Sequence, residues 1–216
     1  MSIVGKAAID PLVIALPKGR LFEPTVLLLK RIGIPMDGIA EEGRRLTLDL
    51  PQHQLRLMII RAVDVPTYVE YGAADIGIVG KDQLIEQNRE VYEPLDLGFG
   101  ECRLVLAQPN RASLERCAKV RVATKYANTT ERYFSRKGIP VEIIKLYGSI
   151  ELAPLVGLAD QIVDLSATGE TLRQNGLTVV DEIAVSTARL IANRVSLKVK
   201  HQRMKRLIHQ IKGALG

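Results

Sequence analysis

A chain of 216 residues with 47% hydrophobic content can fill one large core or two small ones. No apolar run approaches the roughly 20 residues of a membrane span, and the N-terminus lacks the basic, apolar and small-residue succession of an export signal, so a globular cytoplasmic protein is expected. The net charge of +6 is local, because all 24 acids lie at or before Glu182 whereas Arg194, Lys198, Lys200, Arg203, Lys205, Arg206 and Lys212 crowd the tail. Without those seven the chain carries 23 cations against 24 acids, and with six Tyr, three Phe and no Trp it offers no platform for stacked bases; nucleic-acid binding is not expected.

Leu12 to Leu16, enclosed by Pro11 and Pro17, is apolar on both faces, as parallel strands covered by helices are. Lys18-Gly19-Arg20 then turns into an amphipathic helix with Leu21, Val26, Leu28, Leu29 and Ile32 as its apolar positions and Gly33 as its stop. Leu46 to Leu50 and Leu55 to Ile60 read as strands about a polar turn, Gln52-His53-Gln54. Asp64 opens a helix with Pro66 in its first turn and Gly72 at its end, and Ile76 to Gly80 is another buried strand. A second series starts with a strand from Cys102 to Ala107. Arg121 to Thr124 leads into a helix from Asn128 to Lys137 closed by Gly138, and Val141 to Leu146 is a strand. A short helix from Glu151 to Leu158 precedes the strand Ile162 to Leu165. Val179 to Val185 is the last strand, and the basic tail is a helix with Met204, Leu207, Ile208 and Ile211 on one stripe.

Alternation of strands and helices makes the class α/β. Two lobes are expected, one of residues 1–98 with 184–216 and one of residues 99–183, with ligand-binding strand ends facing a cleft. Cys102 and Cys117 have neither metal spacing nor a CxxC pattern and read as buried free thiols.

Asp164-Leu165-Ser166-Ala167-Thr168-Gly169-Glu170-Thr171-Leu172 directly follows the apolar Gln161-Ile162-Val163. The Thr168 and Thr171 hydroxyls and the unhindered N–H groups around Gly169 suit a phosphate, with a helix from Leu172 to Asn175 turning its positive end toward it. Asp164 suits the hydroxyls of a ribose bearing that phosphate. An ordinary Thr-Gly turn is the competing reading.

Four further stretches accompany this loop: Leu16 to Leu21 (LPKGRL), Asp64 to Glu70 (DVPTYVE), Gly72 to Gly80 (GAADIGIVG) and Ala123 to Tyr126 (ATKY). Together with Glu151, Gly157, Ala159, Ile162, Asp164, Leu165, Thr168, Gly169, Thr171 and Leu172 at fixed spacing, they resemble the ATP phosphoribosyltransferase family. The resemblance runs from Leu12 to Lys198. It implies a two-lobed fold like that of periplasmic binding proteins and a reaction in which N1 of the adenine of ATP attacks C1 of phosphoribosyl pyrophosphate, the first step of histidine biosynthesis. The chain resembles the short form, which works with a catalytically silent relative of histidyl-tRNA synthetase as regulatory subunit; alone, a homodimer is expected.

That resemblance assigns Asp164, Ser166, Ala167, Thr168, Gly169, Glu170 and Thr171 to phosphoribosyl pyrophosphate. Lys18 and Arg20, just past the first strand, are the expected catalytic cations, because a guanidinium holds phosphate oxygens bidentately. Arg44 resembles the family's second catalytic arginine. Arg61, at another strand end, Lys18 and Glu151 are expected to meet ATP; a surface ion pair remains open for Arg44 and Arg61, and a helix N-terminal charge for Glu151. Lys81 and Asp82 are placed between substrate contact and helix capping, and Thr124 and Ser149 are weaker candidates. Mg²⁺ is expected to travel with the substrate phosphates. No strong general base is needed for a neutral ring nitrogen, and His53, His201 and His209 lie outside the motifs.

A non-catalytic two-lobed module that closes on a small anion is the rival from another class. For the tail, three readings stand: a helix packed on the first lobe, a docking face for the regulatory subunit or a second copy, or a nucleic-acid contact.

Overall fold

In the computed structural model, residues 10–39, 41, 46–110 and 119–215 are described. In chain order they form β1 (Leu12–Pro17), α1 (Phe22–Arg31), β2 (Thr47–Leu50), β3 (Leu55–Ile60), α2 (Val65–Glu70), β4 (Ile76–Gly80), α3 (Lys81–Gln87), β5 (Tyr92–Asp96) and β6 (Cys102–Pro109). There follow β7 (Val120–Thr124), α4 (Ala127–Arg136), β8 (Val141–Lys145), β9 (Gln161–Ser166), α5 (Glu170–Gln174), β10 (Leu177–Ser186), β11 (Ala188–Ala192), α6 (Arg194–Val199) and α7 (His201–Gly213). Two compact units result: Met1–Gly80 with Arg89–Phe99 and Ala188–Gly216, and Lys81–Asn88 with Gly100–Thr187.

The first unit is built on the sheet β2-β3-β1-β4-β11-β5. The apolar β1 pairs in parallel with β3 on one side and β4 on the other, which is why both of its faces are apolar. Leu12, Ile14 and Leu16 share a core with Phe22, Val26 and Leu29 of α1 and with Met204, Leu207 and Ile211 of α7. Each buried side chain of this size contributes about 1.5–3 kcal/mol, so the tail stripe is a core element of this unit. On β4, a Cβ at Gly77 would lie 2.6 Å from Val65 Cγ1 and 2.8 Å from Val69 Cγ2; only glycine lets α2 approach the strand so closely.

The tail is two helices where one was expected. Asn193 caps α6 through Oδ1, which accepts from Val195 and Ser196 N–H, and the helix ends at Lys200. The Lys200 ammonium reaches Asp10 at 2.9 Å and the buried Asp75 at 3.0 Å. Burial works against that charge, but the hydrogen bonds to Asp10 and Asp75 outweigh it and raise the pKa above the ordinary lysine value. Asp75 also accepts from Ser196 Oγ and from Val13 N–H, tying the tail to β1. Asp64 precedes α2 but makes no capping hydrogen bond with its side chain.

The second unit carries the sheet β10-β6-β9-β7-β8. β7, β8 and β9 are parallel, and β6 and β10 run antiparallel to their neighbours. Cys102 is a buried thiol outside any disulfide, and Cys117 lies outside the described residues. Among the described residues no helix is long and apolar enough to cross a membrane.

Candidate functional site

In the second unit the register of β7 on β9 sets Thr124 opposite Val163. The next residues, Lys125 just past β7 and Asp164 in the C-terminal half of β9, therefore lie side by side toward the edge at which α/β sheets bind ligands. Lys125 Nζ lies 3.0 Å from Asp164 Oδ1, and Leu165 N–H donates to the same oxygen at 2.7 Å. Thr124 is buried and structural: its hydroxyl donates to Val163 O and accepts from Tyr126 N–H.

Tyr126 closes the other side of this turn. Its hydroxyl donates to Asp82 Oδ2 at 2.9 Å, and Ser186 Oγ donates to Asp82 Oδ1 at 2.7 Å. Burial first, and then the Asp82 carboxylate, push the Tyr126 pKa far above the ordinary phenol value, which keeps the hydroxyl a donor. Asp82 is itself buried. Glu86 of α3 supplies the helix cap in this region instead, its carboxylate accepting from Asn128 and Thr129 N–H at the start of α4.

β9 extends through Ser166, so Asp164 and Ser166 are strand residues and the connecting loop is shorter than the sequence suggests. It is organised by its own side chains: Ser166 Oγ accepts from Gly169 N–H at 2.9 Å, and Thr168 Oγ1 from Glu170 N–H at 3.4 Å. Gly169 adopts φ +77°, a conformation that a side chain would strain. The Glu170 carboxylate is held by Arg173 and Gln174 of the same helix. That helix, α5, begins two residues before the expected Leu172 and spans five residues, so its dipole is slight and local N–H groups dominate the field at the loop. Ala167, Thr168 and Thr171 are exposed, and Asp164 Oδ2 has no protein donor among the described residues.

The helix expected from Glu151 to Leu158 is a single 3₁₀ turn, Ile150–Leu152, followed by tight turns. Pro154, without an N–H, and Gly157, with φ +73°, interrupt an α-helical ladder there. Glu151 is half-buried. Ser149 just before it has φ 47°, a backbone conformation uncommon outside glycine.

In the first unit, Pro17 of β1 pairs with Ile60 of β3, so Lys18 and Arg61 leave adjacent parallel strands together. Lys18 N–H donates to Ile60 O at 2.8 Å. Gly19 N–H donates to Glu41 Oε1 at 2.6 Å, a backbone donor between two cations already facing a carboxylate. Lys18 is half-buried, Arg20 and Arg61 are exposed, and neither Lys18 nor Arg61 has an anionic protein partner among the described residues. Arg44 lies outside the described residues. Among the described residues no group of three or more His, Cys, Asp or Glu is arranged for a metal ion.

Sequence reasoning quoted Lys125 within the Ala123 to Tyr126 stretch but gave it no role, although it carries the same signal as Lys18 and Arg61, a cation one residue beyond a parallel strand. It also passed over the Asp82, Tyr126 and Ser186 network, whose members are 44 and 104 residues apart and share no local pattern.

A family model described as ATP phosphoribosyltransferase matches residues 61–213. The chain is 57% identical over 203 residues to ATP phosphoribosyltransferase 2 of Geobacter sulfurreducens, covering 92% of this chain and 96% of that one. Among solved structures, the ATP phosphoribosyl transferase (HisG:HisZ) complex from Thermotoga maritima matches with a TM-score of 0.84 at 36% identity, over 94% of this chain and 98% of that chain. The periplasmic aliphatic sulphonate binding protein SsuA from Escherichia coli matches with a TM-score of 0.61 at 13% identity, over 95% of this chain and 72% of that one. This last likeness is one of fold, the two-lobed α/β architecture of periplasmic binding proteins.

Proposed function

The chain belongs to the ATP phosphoribosyltransferase family, and on that premise we propose that phosphoribosyl pyrophosphate is held chiefly by the second unit and ATP chiefly by the first. The enzyme is a pentosyltransferase acting at the first step of histidine biosynthesis. A bond forms between N1 of the adenine and C1 of phosphoribosyl pyrophosphate, the C1–O bond breaks, and its electron pair leaves with pyrophosphate. The nucleophile is neutral and the leaving group gains charge, so catalysis is chiefly positioning and stabilisation of that charge.

In this reading the second unit holds phosphoribosyl pyrophosphate. Asp164 accepts ribose hydroxyls, for which its Oδ2 is available, and Ser166, Ala167, Thr168, Gly169, Glu170 and Thr171 surround the 5′-phosphate. The observation that carries the assignment is a carboxylate at the C-terminal end of a parallel strand, two residues before a turn of small hydroxyl-bearing residues. In the first unit Lys18 and Arg20 meet phosphate oxygens, and Arg61 with Lys18 faces ATP. Arg44 is assigned the role of a second catalytic arginine, and Glu151, the exception from the second unit, is assigned to the nucleoside of ATP. Mg²⁺ arrives with the substrate phosphates, and its charge offsets the repulsion between them.

A histidyl-tRNA-synthetase-like regulatory subunit is the proposed partner, in keeping with the complex in which the Thermotoga relative occurs; the chain alone is proposed to be a homodimer, and its setting the cytoplasm. The test is ultraviolet detection of phosphoribosyl-ATP from ATP, phosphoribosyl pyrophosphate and Mg²⁺, with and without that partner. Product establishes the transferase in this chain, and stimulation by the partner establishes the regulated form. No product from folded protein in either mixture would leave anion binding without chemistry.

A further inference from the structure

Lys125 carries no assigned role, yet both residues that flank it are firmly held. Thr124 before it is buried, with its hydroxyl bonded on both sides, and Tyr126 after it is anchored through its hydroxyl to the buried Asp82. The ammonium lies 5.3 Å from the centre of the Tyr126 ring and 3.0 Å from Asp164, with the lysine side chain 38% exposed. An exposed ion pair contributes little to stability, and so does not account for a backbone fixed on both flanks.

We propose that Lys125 is a second contact to phosphoribosyl pyrophosphate, holding an oxygen of the pyrophosphate at C1 while Asp164 holds the neighbouring ribose hydroxyl. The inference rests on the assignment of Asp164 to the ribose. An ammonium has three donors, and the Asp164 contact uses one. C1 and C2 of the pentose are adjacent, so a donor in contact with the carboxylate that holds the C2 hydroxyl is within reach of the substituent on C1. As the C1–O bond breaks, the charge delivered to pyrophosphate develops next to a cation that needs no reorganisation to meet it. The cost of holding that cation in the free protein is met by Asp164, which both keeps Lys125 in place and marks where the sugar enters.

The experiment compares the wild-type chain with Lys125→Met and Lys125→Arg in steady-state turnover, together with inhibition by the product pyrophosphate. Lys125→Met is expected to raise KM for phosphoribosyl pyrophosphate and to weaken pyrophosphate inhibition, each about tenfold, the loss of one charge-assisted hydrogen bond. KM for ATP is expected to stay within twofold, roughly the scatter of a change that removes no contact, and Lys125→Arg to recover part of the inhibition. Pyrophosphate carries no ribose, so its binding responds to a direct contact and not to a lysine that only orients Asp164. Unchanged pyrophosphate inhibition in active Lys125→Met overturns the proposal even if KM rises. Should Lys125→Met fail to fold, the neutral Lys125→Gln carries the same comparison. If the wild-type chain forms no product, the parent reading fails, and calorimetric titration of inorganic pyrophosphate into wild type and variant still tests the lysine separately.

Discussion

The two strand-end sites meet charge in opposite ways. In the second unit the described polar groups at the strand end pair with one another: Asp164 with Lys125, Ser166 with Gly169, Thr168 with Glu170, Glu170 with Arg173. In the first unit Lys18 and Arg61 stand together at the ends of β1 and β3 without an anionic partner among the described residues. A loop that satisfies itself keeps its shape without a ligand, whereas adjacent like charges raise the energy of the protein unless an anion joins them. The second site is preorganised in geometry and the first in potential. Substitutions should accordingly act on binding geometry in one and on rate and salt dependence in the other.

The largest effect is expected at Arg20. Arg20→Ala should lower turnover by about 100-fold or more, the scale of losing one donor to developing charge, with the circular dichroism spectrum of a folded chain retained. Equal turnover would remove Arg20 from the mechanism. Next, Asp164→Asn should raise KM for phosphoribosyl pyrophosphate by roughly 10- to 100-fold, because the carboxylate's hydrogen bonds to hydroxyls are charge-assisted. A shift in KM for ATP of the same size would mean that the two substrates are not divided between the units.

A smaller effect follows from the loop. Thr168→Val keeps the shape of the side chain and removes its hydroxyl, which should weaken phosphoribosyl pyrophosphate binding several-fold, about 1 kcal/mol for a neutral hydrogen bond, and ATP binding less. Equal weakening of both in calorimetric titration would separate the loop from the sugar phosphate.

What the sequence displays and what it hides follow from the range of the interactions involved. β1, β4 and β9 are legible because central strands are apolar whichever face is counted, and the Asp164 to Leu172 stretch because its residue types and spacing are local. β5 is not, since Pro94 and its acidic neighbours mask an edge strand, where a proline inside the strand is tolerated. β11 is hidden because only Thr187 separates it from β10; the chain passes from one sheet to the other without a glycine or proline to mark the change. The division of the tail at Lys200 depends on Asp75, 125 residues away. Lys125 and Lys18 follow the same rule, yet only Lys18 stands beside an arginine and a glycine that draw attention to it.

The smallest effect concerns what internal satisfaction contributes to the second unit itself. Asp160, at the entry to β9, accepts from the Arg121 guanidinium at 2.7 Å and from Arg121 N–H at 2.9 Å, and these contacts, the side-chain hydrogen bond foremost, hold its pKa below the ordinary carboxylate value against the opposing effect of burial. A carboxylate with a lowered folded-state pKa contributes stability that is present above its unfolded value and is lost as pH falls through the folded one. Arg121 is 42% exposed, so screening limits the contribution to about 1 kcal/mol or less, a melting difference of roughly 2–4 °C in a chain of this size. Asp160→Asn should therefore melt lower than wild type at pH 7, and the gap should shrink in the acid range below about pH 4. Lys18→Gln in the first unit should melt with the wild-type protein at neutral pH, since among the described residues no anion is paired with it. A gap for Asp160→Asn that persists undiminished into acid would assign the difference to packing instead of charge, and a destabilised Lys18→Gln would mean that the first site is internally satisfied after all.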